Sequence, residues 1–380
     1  MSPLAGGASP KLCRPPMTLA PAIPADSLPA GPAILWPDAA REAAFRAWFG
    51  PLAAARQLDP ASLTLASADA SFRRYLRVQG PGGRSHIVMD APPPQEDVAP
   101  FVDIAGRIRA AGLHAPAVLA ADAVQGFLLL DDLGSALYLP ALQQAEPARA
   151  DALMRGLVTA LVHWQQGVDG SGLPAYDDAL LRRELQLFPD WCVQREHGIT
   201  WTAAQQATWQ RLCDVLVASA LAQPQVTVHR DWMPRNLMLA EPTPGILDFQ
   251  DAVRGPVTYD IASLLRDAFH SWDEAREIDW AARWWQQARA AGLLGEHPMA
   301  SDFGEAWRAL EWMGLQRHLK VLGIFCRLKH RDGKPAYSAD LPRFFAYATQ
   351  VALRYRELKP LIGLIEPMTG ALTRTGFSMR

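Results

Sequence analysis

The sequence predicts an α+β chain of two lobes, a small β-rich lobe followed by a larger, mainly helical one. Three observations carry this reading. Short runs of strand character crowd the stretch from Ser62 to Leu130. Helical periodicity dominates the remainder of the chain, with one β-rich interruption between Val226 and Asp248. Asp131-Asp132-Leu133-Gly134 stands between the two patterns and reads as a hinge. The expected organisation is a tail over residues 1–35, a small lobe over 36–130, the hinge at 131–136 and the helical lobe over 137–380.

The tail is crowded with prolines (Pro21, Pro24, Pro29, Pro32), which denies it an apolar helix and predicts disorder rather than a signal peptide. From Pro37 to Arg56, Phe45, Trp48, Phe49 and Leu52 recur at helical spacing. Ser62–Ala66 reads as a strand. Phe72–Val78 and His86–Met89 flank Gly80-Pro81-Gly82-Gly83 and read as a hairpin. A helix is expected over Asp97–Ala111, then strands at Ala117–Ala121 and Phe127–Leu130. Beyond the hinge, helices are expected at Pro147–Gln166, Asp177–His197, Thr202–Leu221, Thr258–Phe269, Glu274–Ala291, Phe303–His330 and Leu341–Leu358. The tryptophans of this part read as core, with Trp191 and Trp232 the two placed to line a cleft.

Composition narrows the function. Of 380 residues, 49% are hydrophobic and 20% charged, enough for a sizeable core. A formal charge of -2 gives no global attraction for nucleic acid. No apolar run reaches the ~18 residues that span a bilayer. The four cysteines (Cys13, Cys192, Cys213, Cys326) form no CxxC pair, which fits a reducing, cytoplasmic setting. The 37 basic residues include only five lysines: Lys11, Lys320, Lys329, Lys334 and Lys359. Between residues 12 and 319, chemistry that needs a cation must use arginine or histidine.

The informative stretch runs from Val226 through His229-Arg230-Asp231 to Asn236, followed by Gly245-Ile246-Leu247-Asp248-Phe249. An apolar strand leads into His-Arg-Asp, an asparagine follows five residues after the aspartate, and a second strand leads to Asp-Phe. Phosphoryl transfer needs this set. One carboxylate orients the attacking hydroxyl and takes its proton; an amide oxygen and a second carboxylate hold Mg²⁺ against the ATP phosphates. Asp231 fits the first role, Asn236 and Asp248 the second. His229 reads as a packed, structural histidine.

These residues resemble the protein-kinase-like phosphotransferases, in particular the aminoglycoside phosphotransferase/choline kinase branch, over Pro37 to Leu358. The resemblance implies a bilobal protein-kinase-like fold with ATP between the lobes, adenine meeting backbone groups near Asp131 and Leu133. It also implies that Asp260, in Tyr259-Asp260-Ile261, braces the catalytic loop. Four stretches are similar to the anomeric sugar kinases of bacterial cell-wall recycling: Ala68 to Tyr75, Val88 to Pro93, His229 to Leu237 and Leu247 to Val253. That resemblance implies an enzyme phosphorylating the C1 hydroxyl of N-acetylmuramate and N-acetylglucosamine for peptidoglycan recycling; a monomer with a small-molecule partner is expected.

The sequence departs from the protein-kinase pattern in the small lobe. No G-x-G-x-x-G is present; Ala68-Asp69-Ala70-Ser71-Phe72 stands in its place, with backbone N–H groups and the Ser71 hydroxyl to cradle phosphate. Ile87-Val88-Met89-Asp90 lacks the third-strand lysine. Arginine is the natural substitute, and Arg73 and Arg74 adjoin the Ser71 loop. Strand alternation turns them to opposite faces, so one of the two faces the nucleotide. Asp248-Phe249-Gln250 and the short run to Thr258 leave no room for a long activation segment, which favours a small-molecule acceptor.

Acceptor contacts are expected from Arg235 in the catalytic loop, from Gln250 and Asp251 after the metal ligand, and from Glu184 and Trp191, seven residues apart on one helix. Arg317 on a late helix adds positive charge. Two rival readings remain at this level: an aminoglycoside or other amino-alcohol kinase, whose pocket would be acidic, and a catalytically silent nucleotide-binding regulator, which the absent lysine favours.

Overall fold

The computed structural model describes residues 34–68 and 72–369; Ser71 and most of the tail lie outside that range. Helix α1 (Ala39–Arg56) leads into β1 (Asp59–Ala68), β2 (Arg74–Gln79) and β3 (Ser85–Asp90). Helix α2 (Ala99–Ala110) follows, then β4 (Val118–Asp122) and β5 (Phe127–Asp131). These five strands form one antiparallel sheet in the order β1-β2-β3-β5-β4.

Alternation along the strands explains why the sheet is covered on both faces. Val88, Phe127 and Leu129 face α1, where they pack with Phe45 and Phe49. Met89, Leu128 and Leu130 face α2, against Phe101, Ile104 and Ile108, and this core runs on into the helical part. The continuous apolar run Phe127-Leu128-Leu129-Leu130 is therefore a strand buried on two sides.

After β5 come α3 (Tyr138–Gln143), α4 (Pro147–Gly167) and α5 (Asp178–Leu187). At Phe188 the chain widens into a π-helical segment, Phe188–Glu196. Pro189 sits in its first turn and has no N–H to donate, so the α pattern gives way there. Helix α6 (Ala203–Ala222) precedes β6 (Gln225–Val228), β7 (Leu237–Met238), β8 (Gly245–Ile246) and β9 (Val253–Pro256). Strand β6 pairs with β9, and β7 with β8. Helices α7 (Tyr259–Leu265), α8 (Glu274–Ala290), α9 (Phe303–His330), α10 (Leu341–Arg354) and α11 (Leu361–Thr369) complete the fold.

Helix α9 matches its expected bounds and is the spine of this part, buried along most of its length. It crosses the junction of α5 and the π-helical segment so closely that a Cβ on Gly323 would overlap the backbone of Leu187. That approach sets α9 beside Glu184. Helices α3 and α11 were not expected; each is short and carries a proline, Pro140 and Pro367. Helix α7 stops at Leu265, four residues before its expected end at Phe269.

Candidate active site

The loop His229–Asn236 leaves β6 at Val228 and is held by one buried carboxylate. Asp260, at the start of α7, accepts the backbone N–H groups of His229 (2.7 Å) and Arg230 (2.9 Å). Its carboxyl is pushed up to about 7 by burial, against the pull of those two N–H groups. Arg230 has φ 77°, in the left-handed region that costs a non-glycine residue about 1–3 kcal/mol. Asp260 and the contacts of the Arg230 side chain hold it there.

His229 orients the next residue. Its Nδ1 accepts the Asp231 N–H at 3.2 Å, so Nε2 carries the proton and donates to the Leu247 carbonyl at 3.0 Å. The ring is fully buried beside Trp164 and Trp232, and burial pushes its pKa down to about 4. It is neutral at physiological pH and has no route to substrate. Trp232 is wholly buried, which corrects its placement at a cleft wall.

Asn236 joins the two aspartates. Its Nδ2 donates to the Asp231 carbonyl at 3.0 Å and to Asp248 Oδ2 at 3.2 Å. Asp248 also takes the Gln250 amide at 2.9 Å and has φ 60°. Its carboxylate opens to solvent at the cleft, while the enclosing protein and the nearby Asp231 push it up to about 6, against Gln250 and Arg73. Two carboxylates and an amide are therefore gathered at one point. Among the described residues no three His, Cys, Asp or Glu side chains form a metal cage. The set is the sparse, all-oxygen kind that suits Mg²⁺, which takes one or two carboxylates and completes its shell from water and phosphate.

A cavity of about 800 Å³ runs up to this loop. Arg230 and Gln250 close its inner end, and α5 and α9 form one wall. At the inner end Glu184 is neutralised by Arg230 and by Lys320, whose Nζ lies at 3.1 Å, and it accepts the Tyr176 hydroxyl. Burial would raise the Glu184 carboxyl, but Lys320, Arg230 and Tyr176 hold it at about 2.

A family model described as the phosphotransferase enzyme family matches residues 62–300, more than half of the chain. The chain belongs to this family. Its sequence is 55% identical over 304 residues to the N-acetylmuramate/N-acetylglucosamine kinase of Pseudomonas putida, covering 80% of this chain and 87% of that one. It is 44% identical over 340 residues to the protein of the same name from Neisseria meningitidis serogroup B, covering 89% and 99%. The crystal structure of an ADP-bound aminoglycoside phosphotransferase superposes with a TM-score of 0.53 at 12% identity, over 79% of this chain and 96% of that one. The α+β, two-lobed fold is shared with such phosphotransferases.

In this phosphotransferase Arg73 and Arg74 part company. Arg73 donates from Nε to Glu96 at 2.8 Å and raises its own pKa through Glu96, Tyr75 and Asp248, which outweigh the cost of burial. Arg74 stands opposite Asp90 in the β2–β3 register, pairs with that buried carboxylate together with Arg41, and stacks on Trp36. Arg74 is thus a structural residue of the α1 face, which corrects its candidacy at the nucleotide. Phe72 is exposed, and its N–H donates to Glu96 at 3.3 Å. Asp131 is engaged with Ala117 through its N–H (3.1 Å) and its carboxylate. Leu133 makes no backbone hydrogen bond among the described residues, so the open peptide groups of the hinge are at Leu133 rather than Asp131.

The acceptor candidates also divide. Glu184, Gln250 and Asp251 line the cavity. Trp191 does not: the π-helical turn breaks the 3.6-residue period, so a residue seven beyond Glu184 no longer shares its face. Arg235 lies over the Phe269 ring, 4.8 Å from its centroid, and lines no part of the cavity. Arg317 is buried behind the loop, 3.5 Å from Asp231. The sequence reading missed Glu96, which no helical period marks, and Arg183 and Arg327, which line the cavity wall.

Proposed function

We infer that this protein is a Mg²⁺- and ATP-dependent sugar kinase that phosphorylates N-acetylmuramate and N-acetylglucosamine at the C1 hydroxyl. The observation that carries the reading is the junction of Asp231, Asn236 and Asp248 through one amide, in a loop whose Arg230, with the neighbouring Gln250, lines a cavity of about 800 Å³. The names of the relatives supply the substrate pair.

Asp231 receives the acceptor hydroxyl and takes its proton as the bond from that oxygen to the γ-phosphorus of ATP forms and the bond from the γ-phosphorus to the β–γ bridging oxygen breaks, releasing ADP. Its backbone is fixed by His229 and its carboxylate by Arg317, so the hydroxyl is aligned before reaction. Asn236 and Asp248 would hold the metal ion, which neutralises charge on the phosphates when bound. Arg73, facing Asp248, takes the phosphate-binding role of the missing lysine, positioned by Glu96. Leu133 offers its backbone groups to the base.

The cavity argues against an amino-alcohol acceptor. Glu184, its buried carboxylate, is already neutralised by Arg230 and Lys320 and is not free to hold a cationic substrate. The intact trio likewise argues against a silent regulator. Among the described residues no helix is long and apolar enough to cross a membrane. Cys192, Cys213 and Cys326 are free and buried, which supports a reducing, cytoplasmic setting. In this reading the enzyme works there as a monomer, on sugars released from peptidoglycan.

The test is ADP release with Mg-ATP and single acceptors: N-acetylmuramate, N-acetylglucosamine, glucose, choline and kanamycin, with Asp231→Asn as control. Release with the two N-acetyl sugars, lost by ~10²–10⁴-fold in the variant, is expected. Phosphorus NMR should place the product phosphate on C1. Release with choline or kanamycin alone would overturn the sugar assignment.

A further inference from the structure

We propose that Arg327, together with Arg183, which lines the same cavity, forms an anion subsite that takes the lactyl carboxylate of N-acetylmuramate. The proposal rests on the sugar-kinase reading. It begins from the spacing on α9, where Lys320, Ile324 and Arg327 all line the cavity. Steps of four and three residues put them on one stripe of the helix. Lys320 stands at the inner end, on Glu184. Arg327 lies seven residues further along, about 10 Å at the rise of an α-helix.

The other charged groups that line this cavity have partners, though Asp97 and Asp251 have only neutral donors. Glu184 is held by Arg230 and Lys320. Asp103 pairs with Arg107, Asp97 accepts the Ala99 N–H, and Asp251 takes the Gln250 amide at 3.5 Å. Arg183 and Arg327 have neither a hydrogen bond nor an ion pair to their side chains among the described residues. The Nε of Arg327 is buried with no acceptor. Its guanidinium is half-buried, and burial and Arg331 lower its pKa against the weaker pull of Asp332. A buried donor and an uncompensated cation on a cavity wall are what an incoming carboxylate would satisfy.

The two acceptors differ in one group. N-acetylmuramate carries a lactyl ether on C3, whose carboxylate is the only charge on either sugar. With the C1 hydroxyl at Asp231, a ring seated in the cavity lined by Arg230 and Gln250 would carry that ether along the wall on which Arg327 stands. N-acetylglucosamine has nothing to offer there. Arg327 is thus a specificity residue, and the pair of substrates is its own control.

The experiment compares kcat/KM for the two sugars in wild type, Arg327→Gln and Arg183→Gln, and adds the methyl ester of N-acetylmuramate. In Arg327→Gln the ratio of kcat/KM, N-acetylmuramate over N-acetylglucosamine, should fall by about 10- to 100-fold, carried by KM for the acid. Arg183→Gln should lower the same ratio less. Wild type should prefer the acid to its ester, and Arg327→Gln should lose that preference. A ratio unchanged in Arg327→Gln, or an ester used by wild type as well as the acid, overturns the subsite. The ester comparison in wild type stands even where the variant does not fold. Wild type inactive on both sugars is a different result: it overturns the sugar-kinase reading itself.

Discussion

Arg317 reaches Asp231 from the middle of α9, its Nη2 3.5 Å from Oδ1. The arginine is almost completely buried, and its Nε and Nη1 have no acceptor. Its charge is also felt by Asp260 and Asp267. One guanidinium thus stands among three carboxylates, on the side of Asp231 away from solvent. We expect it to fix the carboxylate rather than touch substrate. Arg317→Ala should lower kcat by about 10- to 100-fold with KM for ATP within about twofold. Arg317→Lys should restore part of the loss. Steady-state kinetics on both sugars would show this, and an unchanged kcat would reduce Arg317 to a packing residue.

The second prediction concerns the small-lobe cation. Glu96 precedes α2 and binds both the Arg73 guanidinium and the Phe72 N–H, so it ties Phe72 and Arg73 to the start of that helix. Arg73→Ala should weaken ADP binding by about 10- to 100-fold, as the loss of a charge-assisted contact to phosphate implies. Arg73→Lys should keep part of the affinity, and Glu96→Gln should weaken binding less than Arg73→Ala. Calorimetric titration with ADP reads all three. Wild-type affinity in Arg73→Ala would remove this residue from the nucleotide site.

What the sequence showed and what it hid differ by range of interaction. His229, Asp231, Asn236 and Asp248 were legible because chemistry fixes their spacing within two short stretches, whereas the brace at Asp260 came from the family resemblance alone. Most of the small-lobe strands were legible because alternation and turn residues are local. Arg73 and Arg74 could not be separated by pattern alone. The choice depended on Asp90, a buried carboxylate opposite Arg74 that claims it and Arg41. Trp191 was misplaced because a proline, Pro189, widened the helix and broke the period that placed it. Arg327 and Arg183 were invisible because their significance lies in partners they lack, which only packing reveals.

Glu184 gives a pH-dependent prediction. Its carboxyl lies near 2 in the fold against an ordinary 4.5, because Lys320, Arg230 and Tyr176 outweigh burial. A depressed acid contributes stability that is present above the unfolded value and lost as pH falls through the folded one. The unfolded chain therefore binds about one more proton than the fold between these values, a slope of up to about 1.4 kcal/mol per pH unit. Denaturant melts at pH 5.5, 4.5 and 3.5 should show wild type losing stability more steeply than Glu184→Gln. Parallel losses in the two proteins would contradict the ion cluster.

The last prediction tests the helix crossing on which the cavity depends. Gly323 lets α9 lie against the backbone of Leu187, where α5 passes into the π-helical segment. In an exposed helix Gly→Ala stabilises, since alanine is the better helix former by about 1 kcal/mol. Here the added methyl meets main chain that cannot rotate aside, so overpacking should dominate and Gly323→Ala should destabilise by about 1–3 kcal/mol. Because Lys320 and Arg327 flank this glycine on α9, any outward shift of the helix also moves both cations. The variant should therefore show a lower Tm and, where it folds, a raised KM for acceptor with KM for ATP little changed. A Tm at or above wild type would mean that α9 and α5 are further apart than the structure places them, and the cavity correspondingly wider.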